Sequence, residues 1–433
     1  MPNDRAQESR GLVRVILSSL IGTTIEWYDF FLYGSAAALV FNKLFFPSFD
    51  PLVGTLLAFA TYAVGFVARP LGGIVFGHFG DRIGRKKLLM WSLIAMGLAT
   101  VLIGLLPSYG NVGVWAPIGL IVLRVVQGFA VGGQWGGAVL MAAEHGDAKR
   151  RGYWASWPQA GVPMGSLLSA GILALMAGMQ SEADFLAWGW RVPFLLSAVL
   201  VVTGWYIRNR VAESPMFEVE IEAAEAPPSA PVMEVFRERR RGVLIGAGLR
   251  VGENIVYYVL TVFSLTFLVD VAAQSRSLAL DALLIGAAIQ FISIPLLAIL
   301  SDRIGRRPVY AFGAFGSAIF IFLFFPMLAS GNDGQIILAI VIGLVLHASM
   351  YAPQAAFITE LFPTRIRYSG VSIAYQLTAI FAGSLAPIIA LWLYKDLHSS
   401  VPVSIYVAVA CGISGISALL ARETRGVELS EIR

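Results

Sequence analysis

The chain has 433 residues, 57% of them apolar and only 13% charged, with a mean hydropathy of +0.75. Soluble domains carry about 25% charged residues, so this composition cannot cover a water-facing surface and excludes a soluble enzyme or a disordered regulator. A lone cysteine (Cys411) excludes an internal disulfide, and four scattered histidines (His78, His145, His347, His398) offer no metal-binding spacing, so no cofactor is expected.

Crossing the hydrocarbon of a bilayer takes about 20 apolar residues as a helix. Twelve stretches qualify: 14–42, 52–79, 88–107, 115–143, 152–178, 191–208, 243–270, 280–301, 309–329, 335–360, 368–395 and 401–421. A polar arm, residues 1–12, precedes the first. No small-residue cleavage site follows it, so it reads as a retained helix and not a signal segment. Between spans six and seven lies a polar linker, 209–242, with Glu213, Glu218, Glu220, Glu222, Glu225, Pro227, Pro228 and Pro231 ahead of a basic run at 237–241. The reading is an all-α membrane protein of twelve transmembrane helices: an N-terminal six-helix half (1–208), the linker (209–242) and a C-terminal six-helix half (243–433).

Charge sets the orientation. Of 31 Lys and Arg residues, 24 fall in the termini and in loops on the termini's side, and only Lys43, Arg191, Arg276 and Lys395 lie on the other. The positive-inside rule places both termini in the cytoplasm of a multi-pass protein of the bacterial cytoplasmic (inner) membrane. The excess of basic residues therefore answers to the lipid bilayer and its anionic headgroups, and no nucleic-acid partner is expected.

The loop after span two reads Asp81-Arg82-Ile83-Gly84-Arg85, and the loop after span eight repeats it as Asp302-Arg303-Ile304-Gly305-Arg306. A second echo joins Glu144, ahead of Arg150 and Arg151, to Glu360, ahead of Arg365 and Arg367. The halves are thus parallel repeats, an architecture that places a substrate site at mid-membrane between them.

The loop pattern Gly77, Asp81, Arg82, Gly84, Arg85, Lys86 resembles the signature of the major facilitator superfamily. More narrowly, Glu26-Trp27-Tyr28-Asp29-Phe30, Arg69-Pro70-Leu71-Gly72-Gly73, Gln127-Gly128-Phe129, Gly132-Gly133 with Gly136-Gly137, and Trp188-Gly189-Trp190-Arg191 resemble its metabolite:proton symporters. The first half is most similar to the shikimate-transporting members. The resemblance implies that the first helix of each three-helix unit lines a cavity and the third is peripheral. It also implies that Asp81, Arg82 and Arg85 latch a cytoplasmic gate, with Asp302, Arg303 and Arg306 as a weaker copy. Gly77, Gly80 and Gly84, at i, i+3 and i+7, suit the close helix approach such a latch needs.

Six ionisable residues lie inside spans: Glu26, Asp29, Arg69, Arg124, Arg250 and Glu253. Each is costly in hydrocarbon and so faces a cavity or a partner. They share helix faces with further polar side chains: Glu26, Asp29 and Tyr33 on span one, Arg124, Gln127, Gln134 and Trp135 on span four, and Arg250, Glu253, Asn254 and Tyr257 on span seven. His347, Tyr351 and Gln354 do the same on span ten. Arg124 and Arg250 are the candidates for an anionic group, because guanidinium holds carboxylate bidentately. Gln127, Gln159, Gln290, Gln354, Tyr257 and Tyr375 can bond its hydroxyls or carboxylates, and Trp135 can stack on a ring. For each the alternative is a contact that only pins helices together. Arg69, off the expected cavity-lining helices, reads as structural.

Proton coupling requires a carboxylate whose proton affinity changes with its surroundings; Asp29 comes first, then Glu26 and Glu253. The family commonly carries Glu where this chain has Gln134, which cannot take up a proton. The expectation is an alternating-access transporter, not an enzyme, that works as a monomer and imports a small organic anion with protons, driven by the proton-motive force. The anion is a shikimate-like carboxylate or a di- or tricarboxylate. Uptake of a zwitterionic osmolyte such as proline or betaine, an uncoupled facilitator, and a receptor of the same fold are the alternatives. Osmosensing relatives carry a long C-terminal coiled coil, whereas this chain stops about twelve residues after span twelve.

Overall fold

The computed structural model describes residues 2–48, 51–209, 213, 219 and 231–432, and these form helices connected by short turns. In chain order the spanning helices are α1 (Pro2–Ala36), α2 (Pro51–Ile83), α3 (Arg85–Leu105), α4 (Trp115–Val131, resumed as Gln134–His145), α5 (Arg151–Met179) and α6 (Arg191–Asn209). The second set is α7 (Arg240–Tyr258), α8 (Arg276–Ile304), α9 (Arg306–Leu328), α10 (Asp333–Thr359), α11 (Arg367–Gln376, resumed as Ala386–Leu397) and α12 (Val401–Leu420). Among the described residues, eleven helices are long and apolar enough to cross a membrane. The fifth span, α5, is 29 residues long and packs beside α1 and α8. The chain is an all-α membrane protein with two repeated six-helix sets.

Within the linker, Pro231–Glu238 forms a short helix whose Glu234 and Glu238 pair with Arg365. The linker residues Glu218, Glu220, Glu222, Glu225, Pro227 and Pro228 lie outside the described residues.

The two sets pack alike. In the first, α1 lies on α5, α2 on α4 and α3 on α6; in the second, α7 lies on α11 and α12, α8 on α10 and α9 on α12. The sets meet chiefly where α2 packs on α11 and α5 on α8, with α5 also touching α10 and α4 touching α11. The third helix of each unit turns its apolar side chains outward, as with Trp91 and Leu98 on α3, Val199 and Val202 on α6, Phe312 and Ile319 on α9, and Ile405 and Val409 on α12. Exposed rows of this kind would drive aggregation in water and are at home against lipid tails.

The repeated Asp-Arg-Ile-Gly-Arg loops are single-residue reversals. Gly84 (φ +107°) joins α2 to α3 and Gly305 (φ +111°) joins α8 to α9, in a backbone region open to glycine and closed to most side chains. At the α2–α4 crossing, a Cβ on Gly128 would fall 2.1 Å from the Gly65 carbonyl oxygen, and one on Gly72 would fall 1.9 Å from that of Phe129. Backbones this close admit only hydrogen at the contact, the small-residue packing that membrane helices use in place of a hydrophobic drive.

Candidate substrate and gating site

The in-membrane charges gather in two clusters, one per helix set. In the second set, the Arg250 guanidinium on α7 pairs with the Glu253 carboxylate one turn on and lies 3.8 Å over the Tyr375 ring of α11. Glu253 also accepts from His347 Nε2 at 2.8 Å and from Gln354 Nε2 at 3.3 Å, both on α10. His347 Nδ1 meets Gln290 Nε2 of α8 at 2.8 Å. A carboxylate only accepts, so His347 Nε2 carries a hydrogen, while Nδ1 faces an amide that can meet it as donor or as acceptor. This cluster lines a narrow pocket, with Asn254, Tyr257 and Tyr351 beside it and Trp27 reaching in from α1.

In the first set, Arg124 Nη1 of α4 donates to Gln127 Oε1 at 2.5 Å, Gln127 Nε2 to Thr100 Oγ1 at 2.8 Å, and Thr100 Oγ1 to Asp29 Oδ2 at 2.8 Å. Ser197 of α6 completes the relay by donating to Asp29 Oδ1 at 2.7 Å. The Arg124 guanidinium rests 4.2 Å over the Tyr33 ring, and the Tyr33 hydroxyl meets Thr61 Oγ1 at 2.6 Å. A second narrow pocket is walled by Glu26, Arg69, Arg124 and Gln127.

The structure sorts the candidates. Glu26, Arg124, Gln127, Arg250, Glu253, Asn254, Tyr257 and Gln290 line a cavity. Asp29 lies behind Arg124, turned towards α3 and α6, and lines neither. Gln134 ties α1, α3 and α4 together, accepting from Ser92 at 3.2 Å and donating to the Gly22 carbonyl at 3.4 Å. Arg69, expected to be structural, faces the second cavity with its guanidinium 4.6 Å over Phe66 and 4.8 Å over Phe30. Sequence reasoning left out His347 as a site residue, although it stands on the same face of its span as Gln354.

Below the cavities a layer joins the two sets. Trp135 of α4 stacks on Tyr375 of α11 with centroids 3.6 Å apart. Trp135 Nε1 donates to Gln159 Oε1 of α5 at 2.5 Å, and Gln159 Nε2 donates to the Tyr351 carbonyl of α10 at 3.0 Å. Gln376 Nε2 reaches the Gly132 carbonyl at 2.9 Å and the Tyr368 hydroxyl that of Gly133 at 2.7 Å.

Beneath that, the face carrying the basic loops is shut by matched contacts. Asp81 accepts from the backbone N–H groups of Tyr368 (3.0 Å) and Ser369 (2.8 Å) at the start of α11. Asp302 accepts from those of Gly152 (2.9 Å) and Tyr153 (2.8 Å) at the start of α5. Each carboxylate meets the orphan donors and positive dipole end of a helix in the opposite set. The second loop, expected to be the weaker copy, makes the same two bonds as the first.

Arg85 pairs with Glu144, which also holds Arg367 at 2.9 Å; Arg306 and Arg151 converge on Glu360, at 3.5 and 2.8 Å. Arg306 additionally holds Asp302 at 2.5 Å. Gly77 lets the Ser369 backbone approach, since a Cβ there would sit 2.9 Å from Ser369 Cα. Arg82 and Arg303 are exposed and stand outside this network; Arg82 meets His78 at 3.4 Å. Sequence reasoning noticed Glu144 and Glu360 as repeat echoes and did not see that they are the hubs. Asp81→Asn should weaken this closed arrangement by about 1–2 kcal/mol, because the helix end loses its counter-charge. Transport should slow while substrate affinity holds in a binding titration; equal transport rates would reduce Asp81 to a topology marker.

Two repeated six-helix sets with buried polar clusters along their helices and paired loops that join the sets are the arrangement of a transport protein of the major facilitator superfamily. The sequence matches the family described as "Sugar (and other) transporter" over residues 15–230 and 219–433, and the chain belongs to it. It is 41% identical to the shikimate transporter of Escherichia coli over 418 residues, 95% of each chain. It is 39% identical to the inner membrane metabolite transport protein YhjE of the same organism, over 95% of this chain and 94% of that one. The proline/betaine transporter of Escherichia coli is 33% identical over 95% of this chain and 84% of its own. Among solved structures, the proton:xylose symporter XylE shares the fold with a TM-score of 0.83 at 18% identity, covering 98% of this chain and 99% of that one.

Proposed function

We propose that this protein imports a small organic anion by proton symport through alternating access, the anion being a hydroxylated carboxylate of the shikimate kind or a di- or tricarboxylate. One observation carries the reading. Arg124 and Arg250, from opposite helix sets, are the arginines that border a pocket while a buried Nε–H has no acceptor among the described residues, a state they share with arginines of the basic face such as Arg151 and Arg306, which border neither pocket. A buried donor left unpaired is costly, and a substrate carboxylate is the acceptor that suits guanidinium best. The likeness to the shikimate transporter supports the same class. Glu26 and Glu253 at the cavity walls, and Asp29 behind Arg124, are the carboxylates within reach of a coupled proton.

In this reading, 1–208 and 243–433 rock about the site as two bodies tied by 209–242. The basic face is cytoplasmic, holds both termini, and closes while substrate enters from the other side of the inner membrane. The unit is a monomer and the drive is the proton-motive force.

Purified protein in proteoliposomes with an alkaline interior should accumulate shikimate or a di- or tricarboxylate and alkalinise the outside as it does so. Uptake without proton movement would make it a facilitator. Accumulation of proline or betaine in place of acids would favour the zwitterion reading, which its relatives keep open. No flux of any solute would leave a receptor with the transporter fold.

A further inference from the structure

We propose that His347 takes up the co-transported proton, so that one proton enters with each substrate carboxylate and the occupied site keeps zero net charge. The inference rests on the organic-anion reading above.

The charges facing His347 can be counted from every side. From α7 come Arg250 and Glu253, which cancel, and Tyr257, a neutral phenol whose ring lies 4.9 Å from the imidazole. Its own helix gives Tyr351, with ring centroids 5.2 Å apart, and Gln354. Tyr375 of α11 lies behind Arg250. The α8 and α5 helices bring Gln290 and Gln159, which do not titrate, and α1 brings Trp27. With a neutral imidazole this cluster carries no net charge. The other cluster also cancels, with Arg69 and Arg124 against Glu26 and Asp29.

An entering carboxylate brings one negative charge into this balanced, buried region. Left uncompensated, such a charge costs several kcal/mol, on the order of the penalty for any unpaired buried ion. The arginines are charged already, and a phenol can only lose a proton. Protonating Glu253 would break its bonds from Arg250, His347 and Gln354 together. Protonating Asp29 would compensate from outside the cavity, behind two hydroxyl donors.

His347 alone in its cluster can gain a proton without losing a bond. Its Nε2–H keeps Glu253, and its Nδ1, once protonated, donates to Gln290 after that side chain turns its amide oxygen inward. Glutamine serves both states because it carries a donor and an acceptor on one group. The proton reaches Nδ1 from the entry side with the anion and leaves with it on the other side. Net charge movement per cycle is zero for a monocarboxylate, and the imidazole ends as it began.

The test uses radiolabelled shikimate, wild-type protein, His347→Gln and His398→Gln in proteoliposomes; His398 is an exposed histidine ahead of α12, outside the site. A gradient of about one pH unit should drive up to about ten-fold accumulation by wild type, and an added inside-negative potential should not change it. His347→Gln should lose that accumulation and retain counterflow exchange with no pH gradient, whereas His398→Gln should still accumulate. Accumulation by His347→Gln equal to wild type would overturn the assignment. Should His347→Gln fail to fold, wild type in weakly buffered detergent decides: shikimate binding should take up one proton per molecule bound, and none taken up overturns the proposal. Wild type that moves no organic acid under any gradient defeats the organic-anion reading itself, and the proton assignment falls with it.

Discussion

Replacing Glu144 by glutamine is expected to open the basic face. Its carboxylate is the common partner of Arg85 from its own helix set and Arg367 from the other, and all three side chains are fully buried. Glutamine keeps the shape and removes the negative charge that the two buried guanidinium groups share. Breaking a buried pair in this way costs about 3–5 kcal/mol. The loss falls on the closed arrangement, because separating the sets lets water reach both arginines. A bias of that size shifts a two-state equilibrium by more than about a hundred-fold. The check is labelling of Ser372→Cys on α11, a position 1% exposed in the closed seam, with a water-soluble maleimide. The native Cys411 is buried and gives a low background. Ser372→Cys should label faster when Glu144→Gln is added, and unchanged labelling would mean that the hub does not hold the face shut. Glu360→Gln should act alike, since it strips the matched pair Arg151 and Arg306.

Much of this arrangement was legible in the residues. Hydropathy located twelve spans because a bilayer imposes one length on every crossing helix. The contacts that join the sets at the basic face were visible because their parts recur: Asp81 with Asp302, Arg85 with Arg306, Glu144 with Glu360. A third recurrence went unread. Glu213 accepts from the Lys86 N–H at the start of α3, and Glu423 accepts from the Arg306 and Arg307 N–H groups at the start of α9. The tail that follows Glu423 places the Val427 and Leu429 carbonyls on Arg151 and Arg367.

Helix periodicity says which residues share a face and not which neighbour the face meets. Asp29 and Glu26 share a face of α1, yet Asp29 turns to Thr100 and Ser197 on helices without a membrane charge, while Glu26 borders the cavity. Local wide turns at Ala37–Phe41, Val259–Phe263, Phe267–Val271 and Ala379–Ser384 have no compositional mark. They rotate the faces of α1, α7 and α11 beyond what a constant 100° per residue would give.

Arg250→Met should abolish substrate binding and also lower the melting temperature, and a paired variant separates the two effects. Alone, it leaves Glu253 buried with only His347 and Gln354 as donors, so the lost stability belongs to the stranded carboxylate. In the double variant Arg250→Met/Glu253→Met both charges go, and apolar side chains of similar length fill the space. Replacing a whole buried pair is often neutral or stabilising, so the melting temperature should return towards wild type. Binding should not return. Truncating one member of a buried charge pair with the substrate costs about 2–5 kcal/mol, a loss of well over ten-fold in affinity at its smallest. Thermal denaturation and a shikimate binding isotherm on the same preparations read both quantities. If the double variant melts and binds like wild type, Arg250 only pins α7 in place. If it melts like wild type and does not bind, the guanidinium stacked on Tyr375 is held there for the substrate, and the Glu253 carboxylate keeps it charged and oriented until the anion arrives.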